Sequence, residues 1–169
     1  MPRVSESEPK WLKIAEPLIG TKEYPGAKNN PLIMRWATGL GKALGIAYGG
    51  DSVPWCGLFV AHCIKESGFT PAPIAVRASA WAAWGTKLTR GCPGAILVFT
   101  REGGGHVGFY VSEDSDHYHV LGGNQGDAVS VTKIAKSRCT AIRWPANYPA
   151  PTRGPVVRVF DGKVSKNEA

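Results

Sequence analysis

Two apolar-alternating runs on either side of a polar turn constrain the fold of this chain more than any other feature. In Gly105-His106-Val107-Gly108-Phe109-Tyr110-Val111, residues Val107, Phe109 and Val111 fall on one side of a strand. His106, Gly108 and Tyr110 fall on the other. Tyr118-His119-Val120-Leu121-Gly122 reads as a second strand, and Glu113 to His117 as the turn between them. A hairpin centred near Ser115 pairs residues whose numbers sum to about 230. Gly108 then falls opposite Gly122, and His106 opposite Asn124. Directly paired side chains sit with Cβ atoms about 5 Å apart, so Asn124 is expected to hydrogen-bond the His106 ring and fix its tautomer.

The other marked stretch is Pro54-Trp55-Cys56-Gly57-Leu58-Phe59-Val60-Ala61-His62-Cys63. Pro54 suits a helix start, because its φ is already set and its missing N–H is not needed there. Cys56 then lies in the first turn, where free N–H groups and the helix dipole favour a thiolate. Cys56 is the candidate nucleophile and His106 the candidate base, with Asn124 as the orienting group of a Cys–His–Asn set. Cys63, two turns on among Leu58, Phe59 and Val60, reads as core.

The rest of the chain supports one α+β domain. Pro9-Lys10-Trp11 opens a first helix, and Asn30-Pro31 a second that carries Met34, Trp36 and Leu40. Ala75 to Leu88, with Trp81 and Trp84, reads as a further helix. Strands follow at Ala95–Thr100, Ala128–Ile134 and Cys139–Trp144. Pro145 to Pro155 is proline-rich and ends the domain at about residue 148, leaving 149–169 as a tail with one short strand candidate at Val156–Phe160. Gly41 to Asp51 is a glycine-rich loop leading into the nucleophile. Tyr48 and Asp51 in that loop, Trp55 before the cysteine and Gln125 after Asn124 are candidate substrate contacts.

Composition narrows the function classes. The chain has 169 residues, 43% of them hydrophobic, which argues for a packed core. Its formal charge of +7 favours an anionic partner. No compact Lys/Arg run marks a nucleic-acid patch, and no apolar run reaches the roughly 20 residues of a membrane span. His117 and His119 flank one residue, as a zinc pair does, but no third ligand is suggested. No metal or other cofactor is expected. The polar start, Met1 to Lys10, lacks the apolar core of a secretory signal, so synthesis in the cytoplasm is expected.

Taken in order, "PWCGLFVAHCIKESG", "ASAWAAWG", "PGAILVFTR", "GHVGFYV" and "LGGNQGDAVSV" resemble the papain-like cell-wall hydrolases, over roughly residues 8–148. These are the CHAP group and the related NlpC-like peptidases, in particular a subfamily found in phages and bacteria. Many CHAP members carry a glutamate in the third region and many NlpC-like members a second histidine, where this chain offers Asn124 and Gln125. The resemblance implies a papain-like fold, with the nucleophile at a helix start packed on an antiparallel sheet. It implies Cys56, His106 and Asn124 as the catalytic set and places Ser79 near the groove. It implies hydrolysis of an amide in peptidoglycan, either the muramoyl–L-alanine bond or one within the peptide. The expected setting is a monomeric phage endolysin released to the wall through a membrane hole, or alternatively a toxin delivered by a secretion device. The rivals are a non-hydrolytic wall-binding module, a nucleic-acid binder suggested by charge alone, and an acyltransferase with the same Cys–His pair.

Overall fold

The computed structural model describes residues 8–26, 28–44, 49–50 and 54–168. Among the described residues, three α-helices precede a six-stranded antiparallel sheet. The helices are α1 (Lys10–Ala15), α2 (Pro31–Leu40) and α3 (Cys56–Glu66). The strands are β1 (Thr86–Lys87), β2 (Ile96–Arg101), β3 (Gly104–Glu113), β4 (His117–Gly122), β5 (Ser130–Ala135) and β6 (Cys139–Trp144), in the order β1-β6-β2-β3-β4-β5.

Local chemistry accounts for the helix starts. Asn30 caps α2, its side-chain oxygen accepting the Leu32 N–H at 2.9 Å, and Pro31 occupies the first turn. Trp36 and Leu40 of α2 are core, while Met34 is half-buried. In α1 the buried side is Trp11, Leu12 and Ala15. The Trp11 ring meets Phe69, Trp144 and Tyr148 edge-on, and its N–H donates to the Gly94 carbonyl at 2.6 Å, so the indole is both packed and satisfied.

Helix α3 is the central helix. Leu58, Phe59, Val60, Ala61, Cys63 and Ile64 are fully buried, and Phe59 meets Phe109 of β3 edge-on at 6.1 Å. Burial pushes the Cys63 thiol well above its ordinary value, as befits a core cysteine. The first turn of α3 lies so close to the segment at Ala75-Val76 that Gly57 has no room for a side chain. A Cβ there would sit 2.2 Å from the Ala75 carbonyl oxygen and 2.8 Å from that of Val76.

The helix expected over Ala75–Leu88 is not formed. A short 3-10 helix, Ala78–Ala83, and the two-residue strand β1 stand there instead. Ile74 at φ 55° and Gly85 at φ 63° turn the chain at both ends. The Trp81 N–H donates to the Ala75 carbonyl at 3.0 Å, which fixes the turn across the short helix. Gly85 also passes so near β6 that a Cβ would meet the Trp144 carbonyl at 2.2 Å. Tertiary contact at both ends outweighs the alanine-rich helical preference.

The β3–β4 hairpin has the expected register at Phe109↔Leu121 and Tyr110↔Val120. Beyond Tyr110 the register shifts by one, giving Ser112↔His119 and Glu113↔Tyr118. The bulge therefore lies at Val111. Residues 156–168 do not form the expected strand but return along the sheet. Val156 and Arg158 bracket Glu113 through main-chain bonds, and Lys163 and Ser165 bracket Lys133 on edge strand β5. Phe160 packs on His119 at 5.2 Å.

Replacing Gly57 by Ala is expected to lower stability by about 2 kcal/mol, the usual scale for forcing a carbon into a filled site. A urea midpoint equal to wild type would contradict this account of the α3 start.

Candidate active site

Cys56 is the first residue of α3 and His106 the third of β3. The Phe59–Phe109 contact holds helix and strand together, and from it the chain reaches both residues within one helical turn and three strand positions. Cys56 is 5% exposed and His106 is fully buried. The expected cysteine–histidine pair is therefore brought together across the helix–sheet junction.

The pair is electrically coupled. Burial pushes the Cys56 thiol up, but the closeness and charge of His106, together with the Val107 and Gly57 main chain, bring it below its ordinary value. Burial lowers His106, yet Cys56, the charge of Glu168 and the hydrogen bond that the ring gives to Gln125 raise it above the usual imidazole value. Both shifts favour thiolate and imidazolium over thiol and imidazole. The two ring nitrogens have separate roles. Nε2 lies 2.9 Å from Gln125 Oε1, whereas Nδ1 has no partner at ordinary hydrogen-bond geometry and is the nitrogen left for the Cys56 sulfur. Nucleophile–base hydrogen bonds are often formed fully only once substrate arrives.

The residue hydrogen-bonded to the His106 ring is not the one the register predicts. Asn124 makes no hydrogen bond to the His106 ring; its amide donates to the Glu168 main-chain oxygen at 2.7 Å. Strand β4 ends at Gly122, and Asn124 adopts φ 59°, so the strand pairing that would have placed it beside His106 stops two residues short. Gln125, expected as a substrate contact, is the residue on His106. Its own amide donates to the Val120 and Ser130 carbonyls at 3.0 and 2.8 Å, which forces its oxygen toward the ring. The His106 Nε2 therefore carries the proton and donates it to Gln125. Gly122 makes the arrangement possible, because a Cβ there would lie 2.6 Å from Gln125 Oε1.

The other expected contacts divide. Trp55 is fully buried, donates its indole N–H to Glu23 at 3.1 Å and covers Gly123, so it packs the helix start and presents no face to a substrate. Tyr48 and Asp51 lie outside the described residues. A cleft of about 350 Å³ opens beside the start of β3, lined by Arg77, Ala78, Ser79, Thr100, Gly105 and Thr140 among others. Ser79 was expected near a groove; Arg77, Thr100 and Thr140 carry no motif that marks them in the sequence.

His117 and His119 both lie against Asp114, at 3.4 and 3.0 Å, and His119 Nδ1 is 2.6 Å from Ser112 Oγ. With Ser112 and His119 buried, this set ties the β3–β4 turn together. Among the described residues no group of three or more His, Cys, Asp or Glu side chains is arranged to hold a metal. No described helix is long and apolar enough to cross a membrane.

In comparison with known proteins, the chain matches no protein-family model and no curated sequence.

Alkylation near neutral pH should modify Cys56 well before Cys63, Cys92 and Cys139. Burial raises Cys63 well above its ordinary value and raises both Cys92 and Cys139 to about 11. Gln125→Ala should slow Cys56 several-fold. Peptide-resolved mass spectrometry reads both effects, and labelling of half-buried Cys139 ahead of Cys56 would refute the assignment.

Proposed function

We propose that the chain is a papain-like cysteine amidohydrolase of the CHAP/NlpC type that cleaves an amide bond in peptidoglycan. The observation that carries this reading is the buried Cys56–His106 couple at a helix start, with Gln125 fixing the ring. The fold class, α+β with an antiparallel sheet, is compatible with it. The five sequence stretches that resemble cell-wall hydrolases supply the substrate class. The charge of +7 suits an anionic wall.

The chemistry follows from the pair. The Cys56 thiolate attacks the amide carbonyl carbon; a C–S bond forms and the carbonyl electron pair moves onto oxygen. The Cys56 main-chain N–H, at the positive end of α3, faces that oxyanion. His106 gives its Nδ1 proton to the amine as the C–N bond breaks. Water then attacks the thioester, His106 takes the water's proton, and the acid leaves with Cys56 restored. Gln125 keeps the ring aimed throughout by accepting the Nε2 proton's hydrogen bond. The cleft beside Gly105 offers Arg77 and the hydroxyls of Ser79 and Thr140 to a polar peptide. Delivery to the wall by a phage lysis system is the setting proposed for this chemistry.

The pH dependence has a definite sign. The active form has Cys56 deprotonated and His106 protonated. Activity is therefore lost as pH falls through the Cys56 value and again as it rises through the His106 value. The acid limb should lie below an ordinary thiol and the alkaline limb above an ordinary imidazole.

Purified protein should release fragments from isolated sacculi, and Cys56→Ala should release none. Mass spectrometry of the new amino ends separates the two bond classes: ends on L-alanine mean a muramoyl amidase, and ends within the stem or crosslink mean an endopeptidase. Equal release by the alanine variant would refute the assignment.

A further inference from the structure

Glu168 lies far along the chain from every motif, yet it is only 3% exposed. Its carboxylate is held by both terminal nitrogens of Arg138 and by the Ser165 hydroxyl, with Arg138 Nη1 donating to Oε2 at 3.1 Å. Burial pushes this carboxyl up, but Arg138, Ser165 and the charge of His106 bring it below its ordinary value, so it is ionised. Two links run from it to the candidate pair. Its main-chain oxygen accepts the buried Asn124 amide at 2.7 Å. Asn124 holds the left-handed conformation that turns the next residue, Gln125, back onto His106. The carboxylate charge also acts directly on the His106 ring, favouring its protonated form.

We propose that Glu168 is a positioning residue of the Cys56–His106 pair: its main chain clamps the Asn124–Gln125 corner, and its carboxylate backs the imidazolium. Segment 156–168 is then part of the active site rather than an appendage. The groups that act on His106 are Cys56 from α3, Gln125 from the corner after β4, and, through its charge, Glu168 from this segment, itself paired with Arg138. The proposal rests on the reading of Cys56 and His106 as a catalytic couple.

It gives Asn124 a role that direct contact with histidine does not. Asn124 anchors the corner, and a glycine at this position would keep the positive φ while releasing the clamp. It also explains why a carboxylate is buried where its charge reaches a histidine already paired with cysteine: the thiolate and the carboxylate together hold the ring protonated in a buried site.

The test is an NMR titration of the four imidazoles in the full chain, with peptide-resolved alkylation of Cys56 alongside. Cys56→Ala should lower the His106 midpoint; if it does not, the catalytic couple itself fails. Glu168→Gln, which keeps the shape and the main-chain acceptor, should lower that midpoint by about half a pH unit, a roughly threefold loss of proton affinity. His62 of α3, stacked on Trp36 of α2, should not move. Glu168→Asp, which keeps the charge, should restore much of the shift. Asn124→Gly should slow Cys56 alkylation several-fold with the fold intact. Wild-type His106 titration in Glu168→Gln, or wild-type alkylation in Asn124→Gly, would overturn the proposal while leaving the couple standing. If Glu168→Gln does not fold, the Asn124→Gly alkylation rate decides it.

Discussion

A thiolate and an imidazolium survive in a buried site only if each neutralises the other and every remaining polar atom is satisfied. Burial works against both: it pushes Cys56 toward the thiol and His106 toward the neutral ring. Their mutual attraction reverses the two effects, helped by the Val107 and Gly57 main chain on the sulfur side and by Gln125 and Glu168 on the ring side. Much of the fold serves that juxtaposition. Phe59 on Phe109 sets the distance of α3 from β3, and glycines at 57, 122 and 123 let main chain approach where a side chain would not fit.

The ring is held from behind by a chain of contacts with little freedom. Gln125 cannot turn away without abandoning the Val120 and Ser130 carbonyls. Its backbone follows Asn124, whose amide is tied to Glu168. Glu168 is fixed by Arg138, which also reaches the Thr100 and Ser165 carbonyls. The connection from β5 to β6 and segment 156–168 thus converge behind the histidine, bringing together residues from distant parts of the sequence.

What was legible in the sequence was local. Alternation at His106–Val111 and Tyr118–Gly122 gave the hairpin and its register at Phe109 and Tyr110, because side-chain period in a strand is a strict two. The apolar run after Pro54 gave the helix carrying Cys56, although the helix opens at Cys56 itself with Trp55 at its N-cap, so Pro54 lies before the first turn rather than in it. The orienting residue was not legible, because it depends on where β4 stops and on the left-handed turn at Asn124, and a register argument assumes the strand continues. The helix expected at Ala75–Leu88 failed for a related reason: its close approaches to α3 and β6 are contacts across the fold that local preference does not record. Glu168 had no local signal at all, since a lone acidic residue in a polar segment looks solvated until Arg138 is placed beside it.

The central claim is that Cys56 and His106 form an ion pair in the resting protein. Thiolate ultraviolet absorbance, followed against pH as the difference between wild type and Cys56→Ala, tests it most directly, with His106→Ala as the companion measurement. The account predicts a thiolate that persists below the pH at which an ordinary cysteine is protonated, and its loss in His106→Ala. An ordinary thiol titration in the wild type, unchanged by removing His106, would contradict it.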